Sequence, residues 1–487
     1  MVSLVHDRLM LALTVILLSA IPALADNLFK PDFRVRPDDY TVLMAYDARL
    51  PEGLKCFQAG AHGKFQVEGW MRPDQALTWQ VTVPDEDAYA VNVLVCCGDD
   101  RPLELTVSCA GRSIRGTLRS AARTWTRQKL DGTLRLPQGK QTIILRAQPL
   151  YNSATFAASV LSVELVRPAA RDRLHEAATK LRSDTAWLQK ARYGLMSHWT
   201  SQSCPRRGDP KPYAQAVRDF DVETLANQVL EAGAGFFVLT TSHEQFYFPA
   251  PIKAVDRILP GRTAPRDLVA DLADALGKRG IRLMLYYHIG ASSDPQWLKA
   301  SGFWETDTSR IFGNWTEIIS EVGQRYGDRL AGWWFDDGTI SYYYRSAPWE
   351  QLATAAKAGH AGRLVGFNPW ELPSPTEFQD FFCGEGRADP TVGGLLQVGE
   401  DGRFKSGSHQ GLQVCATLIT EGDWVHSRNN TVIGPPHWNA TQMAALLREF
   451  TQRKNVPIFN LEIYQEGSLS PDTVEMFKRS RQILEAK

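Results

Sequence analysis

The sequence predicts an α/β protein, a (β/α)8 TIM-like barrel preceded by an antiparallel β-sandwich, and three observations carry that prediction. The chain has 487 residues, more than one hydrophobic core usually organises, so two domains are expected. Its first third holds short runs of alternating apolar residues broken by turn signals, the mark of antiparallel strands. From about Tyr193 onward, strand-like and helix-like segments alternate, as in a parallel sheet with crossover helices, and the strand candidates reach the number a closed barrel needs. The expected division is a signal segment at 1–25, a sandwich at 26–167 and a barrel at 168–487.

Composition narrows the function classes. Lys+Arg 54 balance Asp+Glu 54, so the chain lacks the basic footprint of a nucleic-acid partner or an anionic membrane surface. Fourteen tryptophans are more than core filling needs, and flat amphipathic rings are surfaces on which sugar rings stack. At the N-terminus Arg8 precedes the apolar run Leu9 to Ile21, and Ala23-Leu24-Ala25 reads as a small-x-small cleavage site. That run is short for a membrane span. A secreted or periplasmic protein beginning near Asp26 is expected. The seven cysteines cannot all pair within one chain, and none shows Cys/His spacing for zinc.

Within the sandwich, residues 78–83, 89–95 and 141–145 alternate, separated by Pro-Asp, Gly-Asp-Asp and Pro-Gln-Gly turns. This layout, with Trp79 before a Val-Pro turn and a closing strand at 162–165, resembles the galactose-binding-like sandwiches that serve as carbohydrate-binding modules. The resemblance implies sugar binding by loop aromatics such as Trp125; a purely structural domain beside the barrel is the alternative. A charged helical segment from about Ala169 to Arg192 leads into the barrel.

The first clear barrel helix starts at Asp221, a good N-cap, and puts Val222, Leu225, Ala226, Val229 and Leu230 on one face before Gly233. The strand 235–241 follows. Leu268, Leu272, Ala275 and Leu276 mark the next helix and 281–287 the next strand. Trp315, Ile318, Ile319 and Val322 then give a helical face that ends at Gly327. The run Leu330 to Gly338 comes after, a strand that ends in Asp336 and Asp337. Strands at 193–198, 364–367, 381–383, 412–419 and 456–461 complete the barrel.

At strand ends stand His198 and Trp199, then Ser242, His243 and Glu244, then Tyr287 and His288, then Asp336 and Asp337. The later strands add Asn368, Trp370 and Glu371, then Glu385, then Glu421, Asp423 and Trp424, and last Asn460 and Glu462. A single strand-end His or Glu is commonly a support residue; the convergence of many on the C-terminal face of a barrel points to a substrate pocket.

In order, Tyr193 to Trp199, Ala232-Gly233-Ala234, Val238 to His243, Arg266 to Val269, Leu285-Tyr286-Tyr287 and Trp334-Phe335-Asp336 resemble the barrel of the α-L-fucosidases of glycoside hydrolase family 29. The resemblance runs from about Tyr193 to Gly338, and more weakly through Cys415 to His426 and Asn455 to Val474. It implies that Asp336 is the nucleophile of a retaining glycoside hydrolase, that His198 and His243 contact substrate, and that Tyr286-Tyr287 match the family's paired tyrosines. It also implies Glu385 as general acid, with Glu371 and Glu421 as alternatives. Trp199, Glu244, Tyr287, Asp337, Trp370 and Trp424 are further expected contacts, with Tyr287 supporting Asp336. No metal or organic cofactor is expected. The chain departs from the family pattern at Thr200, at Ser242-His243-Glu244-Gln245 and at Asp337, which puts the identity of the sugar in question. The alternatives are a same-fold glycosidase for a different sugar and a catalytically inactive carbohydrate-binding protein.

Overall fold

The structure, a computed structural model, describes residues 33–59, 64–119, 125–288, 294–303, 305, 307–336, 347–369, 372–387, 401–405 and 409–486. The signal-like segment 1–25 lies outside the described residues, as do Asp337, Trp370 and Glu371.

Two antiparallel sheets, one seven-stranded and one four-stranded, form the N-terminal part. Period-2 alternation builds them: along Leu77–Val83 every second side chain is buried, and Trp79 closes over the core with its indole N–H donating to Met44 O at 2.8 Å. The strands Asp87–Cys97, Gly139–Pro149 and Ala158–Val166 run longer than the alternating segments predict. Met44, Leu94 and Leu161 join the barrel's own hydrophobic cluster, and Trp125 is half-buried against that cluster. Trp125 therefore contributes to the junction with the barrel.

The charged segment divides into two helices, Pro168–Leu181 and Ala186–Ala191. The barrel strands, first to eighth, are Gly194–Ser197, Phe236–Thr240, Arg282–His288, Leu330–Asp336, Leu364–Phe367, Phe381–Arg387, Gln413–Ile419 and Val456–Asn460. They are parallel and ordered 5-4-3-2-1-8-7-6. Among the described residues, only the seam between the fifth and sixth lacks a ladder. There Asp380 donates its N–H to Val365 O at 2.7 Å and accepts from Val365 N at 2.8 Å through Oδ2, while Lys357 Nζ lies 2.9 Å from that carboxylate.

Helix ends follow local chemistry. Asp221 Oδ1 caps Val222–Ala232 by accepting from Thr224 N at 3.0 Å, and Gly233 leaves that helix at φ 82°. Leu230, expected on the buried face, is instead exposed because it sits past the edge of the stripe formed by Leu225, Ala226, Val229 and Ala232. Asp267 caps Leu268–Gly277 in the same manner.

Strand pleat divides the barrel into two layers. Met196, Phe236, Val238, Met284, Tyr286, Trp334, Leu364, Phe381, Cys383, Cys415, Val456 and Ile458 pack together inside the barrel. Leu195, Phe237, Leu239, Leu285, Tyr287, Trp333, Phe335, Val365, Phe367 and Phe459 belong to the cluster between strands and helices. Period 2 then fixes which strand-end residues continue the inner phase: His198, Ser242, His288, Asp336, Asn368, Glu385, Glu421 and Asn460.

Candidate active site

The C-terminal ends of the fourth, fifth and sixth strands bring two carboxylates together. Asp336, 8% exposed, accepts from Tyr286 Oη at 2.5 Å and from Asn368 Nδ2 at 2.9 Å. The same Asn368 nitrogen donates to Glu385 Oε1 at 2.5 Å. The sum of those two contacts bounds the separation of the carboxylate oxygens. That upper limit, for Asp336 Oδ1 and Glu385 Oε1, falls short of the roughly 6.5–9.5 Å kept by inverting pairs, which leaves the shorter, retaining class. Two hydrogen bonds fix the orientation of the Asp336 carboxyl group.

On the first strand His198 is buried, its Nδ1 2.7 Å from Asn460 Oδ1. Its ring packs against those of Tyr286 at 4.7 Å, Trp424 at 5.1 Å and His243 at 5.2 Å. Burial, aided by the neighbouring His243, lowers its pKa to about 3, which keeps the imidazole neutral. His243 also meets His288, ring centres 5.5 Å apart. Behind it the chain turns tightly, with Gln245 N donating to His243 O at 2.5 Å and Glu244 at φ 51°. A left-handed backbone is costly for a residue with a Cβ, so the turn is held by its surroundings: Gln202 Nε2 donates to Glu244 Oε2 at 3.4 Å and Ser201 Oγ to Gln245 Oε1 at 2.9 Å.

Three expected contacts fall elsewhere. Tyr287 is buried on the outer face among Phe246, Trp315, Trp333 and Phe335, and it is the preceding Tyr286 that holds Asp336. One step along a strand reverses the face. For the same reason Trp199, next to inward-facing His198, lies in the outer core, with its indole N–H donating to Gln465 O at 3.0 Å and its rings against Phe220 and Tyr213. Glu421 is 0% exposed; Thr473 Oγ1 donates to its Oε1 at 2.6 Å and Glu462 N to its Oε2 at 3.1 Å. Burial pushes this carboxyl up to about 8, and it braces the strand against the helix Pro471–Glu485 instead of entering the pocket. Glu462, braced in turn, accepts from Asp423 N at 3.1 Å and pairs with His426 Nδ1 at 3.0 Å.

Trp424 is half-buried over His198, consistent with a wall for an apolar sugar face. The sequence placed Asn368 and Asn460 at strand ends and Tyr286 in the paired-tyrosine motif without giving any of them a role; an inward residue known on each strand would have put all three on the pocket side. A separate cavity of about 660 Å³ lies away from these carboxylates, between sandwich and outer barrel wall, lined by Tyr40, Arg127, Glu164, Trp349 and Phe378 among others.

Residues 213–392 match the family model described as Alpha-L-fucosidase. The tissue alpha-L-fucosidase of Homo sapiens is 28% identical over 240 residues, covering 39% of this chain and 51% of that protein. The Macaca fascicularis counterpart is 25% identical over 242 residues, with the same coverage. The chain thus spans about half the length of the curated relatives it matches. Among solved structures, a family 29 alpha-L-fucosidase from Bacteroides thetaiotaomicron has TM-score 0.45 and 15% identity, covering 62% of this chain and 74% of its own. The Lactobacillus casei alpha-L-fucosidase in complex with alpha-L-fucose has TM-score 0.45 and 16% identity, with 62% and 98% covered. Over residues 213–392 the barrel of this chain is thus alpha-L-fucosidase-like.

Proposed function

We propose that the chain is a retaining glycoside hydrolase that removes terminal α-L-fucose from glycans. The observation that carries the reading is the pair Asp336 and Glu385, held on one Asn368 nitrogen and so closer together than an inverting pair allows. Asp336 attacks the anomeric carbon and forms a glycosyl ester as the glycosidic C–O bond breaks. Glu385, protonated, gives its proton to the departing oxygen. In the second step Glu385 takes a proton from water, the water oxygen attacks the anomeric carbon, and Asp336 leaves. Tyr286 and Asn368 hold the nucleophile still, and His198, His243 and Trp424 meet the sugar.

A second reading keeps the chemistry and changes the sugar. It is favoured by Ser242, whose hydroxyl is 3.1 Å from both the backbone oxygen and the backbone nitrogen of His288, at a place where the resembled family carries a histidine. The test is a panel of aryl glycosides that includes aryl α-L-fucoside, with the anomer of the first-formed product followed by NMR. Turnover of the fucoside with retention is expected. Turnover of another member alone moves the chain to the second reading, and binding without turnover of any member makes it a carbohydrate-binding protein. We propose further that the protein is exported, on the signal-like pattern of residues 1–25; N-terminal sequencing of exported material should begin near Asp26.

A further inference from the structure

We propose that Asn460 is a positioning residue for His198: its amide holds the imidazole as the Nδ1–H tautomer, so that Nε2 is left as a hydrogen-bond acceptor for a substrate hydroxyl. Asn460 ends the eighth strand on the inward phase. Its Nδ2 donates to the carbonyl oxygens of Trp424 at 3.1 Å and Asp423 at 3.5 Å. Carbonyls only accept, so these two partners decide which way the amide faces. The amide oxygen is therefore the atom 2.7 Å from His198 Nδ1. That oxygen cannot donate, and the hydrogen in the contact must belong to the ring.

Nε2, on the side of the ring away from Nδ1, keeps its lone pair while the ring stays neutral. The groups packed about the imidazole are His243, Tyr286 and Trp424, with Asp336 and His288 near enough to act on its charge. Burial outweighs Asp336 and keeps the proton off, as described above. The same Asn460 amide tethers the backbone of Trp424, so one side chain sets both the polar contact and the aromatic wall. The inference rests on the proposed glycosidase reading for the identity of the hydroxyl donor; the tautomer does not depend on it.

Nitrogen-15 spectra of the full chain labelled at histidine read the ring directly, with His198→Asn assigning its signal among the 10 histidines. From pH 5 to 8 the expected spectrum has a protonated, pyrrole-type Nδ1 and an unprotonated, pyridine-type Nε2. In Asn460→Asp a carboxylate faces Nδ1 and favours imidazolium, so Nε2 should become pyrrole-type at neutral pH. On aryl α-L-fucoside that variant should raise KM on the order of tenfold while His198 is charged and recover as pH rises, a split that mere loosening of the fold would not give. Asn460→Ser, which keeps no fixed acceptor, should show both tautomers. A wild-type ring protonated on Nε2 would overturn the assignment, as would an Asn460→Asp spectrum identical to wild type. A chain that shows these spectra and leaves the fucoside untouched loses the fucosidase reading and keeps the tautomer assignment.

Discussion

Asp336 and Glu385 share the side-chain amide of Asn368, which donates to the first at 2.9 Å and to the second at 2.5 Å. An amide has two hydrogens on one nitrogen, so a single residue fixes the distance between the two acids and the direction each presents. Asn368→Ala should lower kcat by about 10- to 100-fold with a smaller change in KM, since it disturbs the pair and not the sugar contacts. Steady-state kinetics on an activated aryl glycoside, with a circular dichroism check of the fold, would measure it.

Asp336→Asn and Asp336→Gly should abolish turnover, because neither an amide nor a hydrogen atom can form the glycosyl ester. The loss expected is roughly a thousandfold or more, with the thermal transition little changed. Activity within about tenfold of wild type would remove Asp336 from the nucleophile role.

The two adjacent tyrosines give a paired test. Tyr286 Oη lies 2.5 Å from Asp336, whereas Tyr287 is buried between strand and helix layers. Tyr286→Phe should cost about ten- to a hundredfold in kcat, by loss of a hydrogen bond to a charged group. Tyr287→Phe should leave kcat within about threefold. The opposite ranking would mean that the strand is out of register with the inner phase described here.

Glu385→Ala should lose activity on natural linkages and recover part of it with azide on a substrate whose leaving group needs no proton. The rescue works because a small anion can attack the ester without the base that alanine lacks. A variant that keeps wild-type rates on natural linkages would rule Glu385 out as acid/base.

The barrel was legible in sequence because its strands are continuous apolar runs and its helices carry their own end signals, as Asp221 and Gly233 do for Val222–Ala232. The choice between neighbours was not. Tyr286 and Tyr287, or His198 and Trp199, are equally plausible pocket residues until one inward side chain is known, because pleat reverses with every step. Trp334, packed with Tyr286 inside the barrel, supplies that reference and places Asp336 on the inner phase. Glu421 shows a different limit: its strand end is correct, but burial by the helix Pro471–Glu485 comes from a segment about fifty residues on and leaves no local mark.

That burial makes Glu421 a stability switch with a defined sign. Its carboxyl is moved from the ordinary 4.5 up to about 8, principally by removal from water, opposed by the hydrogen bonds from Thr473 and Glu462 N. The folded chain then binds this proton more tightly than the unfolded chain does. The contribution to stability is fully present below the unfolded value, declines as pH rises between the two, and is lost above the folded one. Glu421→Gln keeps a neutral group of the same shape, whose oxygen can still accept from Glu462 N while its NH2 faces Thr473 Oγ1. The variant should therefore match wild type near pH 5 and be the more stable protein at pH 8, with a flatter dependence in between. Urea unfolding at a series of pH values would show this as two midpoint curves that separate upward through the neutral range. Parallel curves would mean that Glu421 is ionised in the folded state throughout.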